Sequence, residues 1–233
     1  MFTKRLVFVG LSLLFSQGHA ATILLAGTDF DIQYDDARLG SFGSSMISGN
    51  TVFFTPNIFK TESLNGNGFS TVSGTINFDI IPKKDLIISD IALLERGDYV
   101  LRGADSFVGV TGQTRAFSLQ NPLKDVTNRI TSTSTLNTAT GFQQNWEATS
   151  SLNLASLALT NRQAVRYTVE NLLEAYSEGN ATGPRRAFIE KKFVGFSINS
   201  LPFVSPVPEA SSYLMMASGL AFLGLLSLRR KTR

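Results

Sequence analysis

The chain has no cysteine, and its one histidine, His19, stands close to the amino terminus. Without cysteine there are no disulfides, thiolate metal sites or Cys nucleophiles. If the first twenty residues are removed, imidazole goes too, and with it the Ser-His-Asp triad and histidine-ligated metals. Charge is also scarce, at 21 Lys+Arg against 18 Asp+Glu and a formal net charge of +3. That small excess belongs to the ends, because Lys4, Arg5, Arg229, Arg230, Lys231 and Arg233 are six of the 21 basic residues. Between Ala21 and Pro208, 15 basic residues face 17 acidic ones, a net −2. A phosphate-neutralising body is thereby excluded, and nucleic acid is not an expected partner.

What the ends do contain reads as a pair of addresses. Residues 1–20 have the layout of a secretory signal, with Lys4 and Arg5 as the charged start. The apolar run 6–15 is too short for a hydrocarbon core of about 30 Å at about 1.5 Å per helical residue. Gly18 and Ala20 are the small residues that a signal peptidase reads, so cleavage is expected after Ala20. At the far end, Val207, Pro208, Glu209 and Ala210 precede an apolar stretch over 213–228, and a basic cluster over 229–233 closes the chain. A helix over 213–228 rises roughly 24 Å, workable in a thin bilayer. Gly219 and Gly224 lie five apart, so they form no GxxxG pairing face. After an exported amino terminus, Arg229, Arg230, Lys231 and Arg233 are expected to stay cytoplasmic.

A Pro-Glu motif, a short glycine-bearing apolar helix and a terminal Arg-rich cluster, in that order, resemble the PEP-CTERM sorting signal. The resemblance covers residues 207–233, and Ala210 stands where the family has a second proline. It implies a membrane-embedded exosortase acting near the Pro-Glu motif and a Gram-negative producer of exopolysaccharide. It also implies an inner-membrane precursor whose product reaches the cell surface or extracellular matrix. Other tail signals fit less well: 201–205 lacks the Thr-Gly of a sortase motif, and a GPI signal would end without Arg229 to Arg233. Within the body, Glu95-Arg96-Gly97-Asp98-Tyr99, the segment 111–117 and the segment 189–195 resemble exported proteins with the same tail. That resemblance implies no assigned activity.

The body predicts an all-β fold, a single antiparallel β-sandwich or jelly roll over residues 21–200. Phe30, Ile32 and Tyr34 alternate with polar neighbours, and 51–54 is β-branched and aromatic. Asn65-Gly66-Asn67-Gly68 is a turn signal, since Gly and Asn tolerate positive φ. In the run 69–81 that follows, Val72, Gly74, Ile76, Phe78 and Ile80 share one face. Pro82-Lys83-Lys84-Asp85 marks a turn before a strand over 86–94, and the Glu95–Asp98 segment reads as a connection to another over 99–101. Strands are also predicted over 107–110, 113–119, 146–159, 165–173 and 192–198, about ten short strands in all. Over 169–176 a helical turn competes, but the alternation of Val165, Tyr167 and Val169 favours strand. The segment 127–140 reads as loop or edge strand. Residues 201–212 read as a linker carrying the sorting motif, with proline-rich irregular structure from 199 to 208. About 188 residues bury enough surface to need no staple.

Candidate sites are few. Asp29, Asp31, Asp35 and Asp36 are oxygen ligands for Ca²⁺ in principle, but Tyr34 and Gly40 break the EF-hand pattern and the alternation suits a solvated strand. Asp79, Asp90, Glu95 and Asp98 are the carboxylates available to a glycosidase. Trp146 and Tyr99 are possible sugar platforms, with core packing as the plainer reading. Lys191-Lys192 and Arg185-Arg186 form a basic patch for anionic polysaccharide or lipid headgroups, or a turn and solvated edge that discourages strand addition. Asn180-Ala181-Thr182 matches a glycosylation acceptor pattern. No metal, cofactor or catalytic residue is expected. The expectation is a non-enzymatic exported protein with a structural or interaction role and exopolysaccharide as partner. The alternatives are a carbohydrate-binding module and, behind it, a carboxylate-based glycan hydrolase.

Overall fold

Strand alternation dominates the computed structural model, which describes residues 22–103, 105–179 and 183–204, with 215, 216, 218 and 220. In chain order the strands are β1 (Thr22–Ala26), β2 (Phe30–Asp35), β3 (Ser45–Ser48), β4 (Thr51–Phe54), β5 (Lys60–Leu64) and β6 (Gly68–Pro82). There follow β7 (Leu86–Arg102), β8 (Ser106–Ser118), β9 (Asn121–Arg129), β10 (Thr131–Ser132), β11 (Gln144–Asn153), β12 (Val165–Ser177) and β13 (Arg186–Pro202). They form two sheets in a sandwich-like arrangement, one in the order β1-β2-β6-β12-β8-β9 and the other β10-β11-β7-β13-β4-β3. In the second sheet β5 pairs β13 over Arg186–Glu190, and β4 pairs it further along over Val194–Ser197.

The strands are fewer breaks and more length than the sequence suggests. The Glu95–Asp98 segment is no connection; it is the middle of the 17-residue β7. Likewise 107–110 and 113–119 are one strand, β8. Charged residues and glycine read as turn signals from local pattern, but each residue of this stretch has a register partner on β11: Glu95 faces Ala148 and Gly97 faces Trp146. The expected irregular stretch from 199 begins as strand, since β13 runs through Pro202. The strand reading of 165–173 holds and extends to Ser177, and 127–140 divides between β9, β10 and loop. Residues 146–159 end as strand at Asn153, followed by a 3-10 turn over Ala155–Leu157. The turn at 65–68 is as expected: Gly66 has φ +91°, and a Cβ there would lie 2.3 Å from Gly179 Cα.

Between the sheets, inward positions of the strands interdigitate. Phe78 centres an aromatic group, with ring centroids 4.9 Å from Phe196, 5.4 Å from Phe54 and 6.5 Å from Tyr167. Each such ring fully withdrawn from water contributes about 1.5–3 kcal/mol.

The chain divides into two units, Met1–Leu201 and Pro202–Arg233. Of the second, 215, 216, 218 and 220 are helical, and the Ser218 hydroxyl donates to the Met215 carbonyl at 2.9 Å. Among the described residues no helix is long and apolar enough to cross a membrane. The cleavage position Ala20, the motif Val207, Pro208 and Glu209, the tail Arg229, Arg230, Lys231 and Arg233, and the pattern 180–182 all lie outside the described residues.

Candidate functional site

The outward positions of β6, β12 and β8 build one continuous face. Cross-strand register sets it row by row, because antiparallel partners point to the same side. The end row is Phe69–Tyr176–Phe107, the next Thr71–Glu174–Gly109, then Ser73–Leu172–Thr111 and Thr75–Glu170–Gln113. Phe69 is 69% exposed and Phe107 44%, values far from those of core rings. Phe69 and Tyr176 pack with centroids 4.6 Å apart, tilted by 38°. Phe107 leans over Gly109, where an added Cβ would lie 3.0 Å from its Cζ. Three aromatic rings thus line up across strands about 4.8 Å apart. Beside them lies an open depression of about 640 Å³ whose lining includes Ser73, Thr75, Thr111, Gln113, Arg129 and Glu170. Gln113 Nε2 donates to Glu170 at 2.8 Å. Among the described residues Thr71, Ser73, Thr75 and Thr111 have no side-chain hydrogen bond, so their hydroxyls face water. Chemically the face offers an apolar shelf and a field of small hydroxyls.

A different constellation lies inside. Lys191 on β13, Glu95 on β7 and Asn171 on β12 meet in the buried space between the sheets, 1%, 0% and 3% exposed. Lys191 Nζ donates to Glu95 Oε2 at 2.6 Å and to Asn171 Oδ1, and Asn171 Nδ2 donates to Glu95 Oε1 at 2.8 Å. Each of the three touches the other two. Nζ also lies 4.9 Å from the Phe59 ring centroid and 5.9 Å from that of Trp146. Asn171 is flanked in register by Gly74 and Gly112, and the missing side chain of Gly74 lets the Phe59 and Phe42 rings approach, a Cβ there lying 2.9 and 3.1 Å from them. Burial lowers the Lys191 ammonium from its ordinary value, against the opposing pull of Glu95. Burial first, then Glu95, pushes the Tyr167 phenol well above its usual range. Thr114 lies beside that phenol at a geometry short of a hydrogen bond and is engaged with Ser150 at 2.8 Å, which leaves the Tyr167 hydroxyl unpaired.

The structure redistributes the residues named from sequence. The basic patch does not exist as a patch. Lys191 is buried, Lys192 pairs with Asp98 and with Glu190 at 3.0 Å, Arg185 is buried and pairs with Asp105 at 3.4 Å, and Arg186 pairs with Glu62 at 2.6 Å. The sequence shows four cations in two adjacent pairs, but strand alternation turns Lys191 and Lys192 to opposite sides, and Arg185 stands just before β13 while Arg186 opens it. Trp146 and Tyr99 are core residues, both 3% exposed, and Trp146 Nε1 donates to the Glu190 carbonyl at 3.0 Å. Neither is a platform. The carboxylates do not converge. Asp79 is held bidentately by Arg166 at 2.7 and 2.8 Å, Asp90 accepts from Ser89 and Asn199, and Asp98 from Gln143 and Lys192. Asp29 accepts from Asn50 and Ser200, and Asp35 caps a 3-10 turn through the Ala37 amide. Among the described residues no three acidic or imidazole groups gather in a way that holds a metal.

Sequence reasoning missed Phe69, Phe107, Tyr176 and Asn171. A signal for Phe69 existed: it shares strand parity with Thr71, Ser73 and Thr75, which places an aromatic on the polar side. Asn171 had a mirror-image signal, a polar side chain in the inward parity of Val169 and Leu173.

Comparison with known proteins gives little to set beside this geometry. No protein-family model matches the chain, and no curated protein matches it. Among solved structures, infectious bursal disease virus, Gx strain, is 11% identical, with a TM-score of 0.34 over 75% of this chain and 48% of that one. The Gt strain of the same virus is 12% identical, with a TM-score of 0.25 over 72% and 47%. The chain spans about half the length of these proteins, and similarity this low carries no argument about fold or function.

Proposed function

We propose that this is a non-catalytic, exported bacterial protein, delivered through an exosortase-type pathway to the cell surface or matrix, where its sandwich holds exopolysaccharide. The reading of the ends rests on sequence: a secretory signal cleaved after Ala20, then a membrane helix and basic tail that hold an inner-membrane precursor until processing near Pro208-Glu209. The observation that carries the binding role is the row Phe69–Tyr176–Phe107 beside unpaired hydroxyls on one sheet face. Pyranose rings present C–H faces that pack on aromatic rings and rims of hydroxyls that pair with Ser, Thr and Gln. The face carries Glu170, Glu174 and Arg129 rather than a block of one charge, which suits a neutral glycan.

The test is affinity electrophoresis through gels containing neutral polysaccharide. The native protein is expected to be retarded, and the double change Phe69→Ala, Tyr176→Ala to run freely with little loss of Tm, because both rings are outside the core. Equal migration of the two proteins would sink the binding role. Intact-mass measurement of the secreted protein checks the delivery role separately. Molecules in the medium are expected to lack residues 1–20 and the tail from 229 onward. Cell-bound protein that keeps Arg229 to Arg233 on every molecule, with none released, points instead to a plain anchor.

A further inference from the structure

We propose that Lys191 and Asn171 become covalently joined in the folded protein by an amide between Lys191 Nζ and Asn171 Cγ, formed without a separate enzyme and with Glu95 as proton carrier. The three side chains are already in mutual hydrogen-bond contact. Nζ touches Oδ1, the oxygen on the carbon it would attack, and Glu95 holds Nζ through one oxygen and Nδ2 through the other. That is the layout a proton relay needs, with acceptor and donor sides on one carboxyl group. Fixing both reactants in a closed interior replaces an encounter with a preset approach, the source of large effective concentrations. Neutral lysine is the nucleophile, and a buried site beside Phe59 and Trp146 favours it over ammonium.

The step balances without a co-reactant. Lys191 gives one of its three protons to Glu95, and the neutral amine adds to Cγ of Asn171. A second proton passes through Glu95 to Nδ2, the Cγ–Nδ2 bond breaks, and ammonia leaves. The third proton stays on the new amide nitrogen, and the proton left on Glu95 stays there, so that the carboxyl is neutral and donates to the new carbonyl while ammonia leaves. Nothing is oxidised or reduced. The product exchanges a buried ion pair, whose desolvation opposes folding, for a neutral amide. It also ties β13 of one sheet to β12 of the other in a chain that has no cysteine for a disulfide.

Peptide mass spectrometry of the full chain, denatured before trypsin digestion, decides the matter. A bond at Lys191 blocks cleavage there, so residues 167–185 are expected on a branched peptide with residues 187–192. Its mass would be about 17 Da below the sum of the two free peptides, one ammonia. Glu95→Gln keeps the shape but removes the carrier, and is expected to return free 167–185 and 187–191 and to lower Tm by roughly 6–12 °C. If the native protein yields only the free peptides, the bond does not form. If Glu95→Gln yields the branched peptide in full, Glu95 is not the carrier. The branched ion is a readout that an ordinary buried ion pair would never produce, and it does not depend on any variant folding.

Discussion

Lys191 and Lys192 are neighbours on β13 and live in opposite surroundings. Lys191 points into the space between the sheets, where Glu95 and Asn171 are its polar partners. Lys192 is half exposed on the outer side and shared by Asp98 and Glu190, which raise its pKa through hydrogen bonding. The same contrast holds one sheet-neighbour away, where Glu95 is buried while Arg96 meets Glu147 at 2.9 Å in the open. The interior tolerates charge only where position, count and geometry all match, because desolvation is severe and no water substitutes for a lost partner. The exterior tolerates loss, since solvent screens and replaces the missing group.

The most forceful way to break this contrast is Lys191→Met beside Lys192→Met. The first removes the nitrogen that Glu95 holds and that joins Asn171, leaving two buried polar groups without their partner, and is expected to destabilise by about 3–5 kcal/mol; the second, half exposed, by no more than about 1 kcal/mol. Urea unfolding of both variants measures the gap, and equal midpoints would remove the distinction between inside and outside. Next in size is Gly97→Ala. A Cβ at Gly97 would lie 1.9 Å from the Glu190 carbonyl oxygen and 2.8 Å from the Trp146 ring. The strand carrying Glu95 would have to move away from β13, at about 1–3 kcal/mol, visible as a lower Tm and a changed tryptophan emission.

A smaller effect, of opposite sign, is expected from Tyr167→Phe. Its hydroxyl is buried without a partner, so its removal should be neutral or stabilising by up to about 1 kcal/mol. A clear loss of stability there would mean that the phenol takes part in the Glu95 cluster. The smallest effect is one that acid removes. Hydrogen bonds from Ser200 and Asn50 hold the Asp29 carboxyl below its ordinary 3.8. Its folded pKa is therefore the lower one, so its contribution is fully present above pH 3.8 and fades as pH falls through the depressed value. Asp29→Asn should remove that small contribution at neutral pH and flatten the acid limb of the stability curve, so that the two proteins differ most at neutral pH and converge in acid.

Much of the architecture was legible in the sequence because strand periodicity is a local property. Phe30, Ile32 and Tyr34 are buried as their alternation requires, and Asn65 to Gly68 turns because its residues accept positive φ. Strand ends were less legible. Glu95 and Gly97 look like punctuation until Ala148 and Trp146 are found opposite them. The candidate site was barely legible, since an exposed Phe69 and a core Phe78 are the same residue type within one strand.

By itself the sequence determined the near-neutral body, the all-β class and the side to which most strand residues point, for these follow from composition and a period of two. Only tertiary structure decided which sides face each other. Glu95 lies 76 residues from Asn171 and 96 from Lys191, and Lys191 lies 20 from Asn171. No local pattern joins them; sheet order and register do, by placing β7, β12 and β13 so that three buried polar side chains close on one another between the sheets.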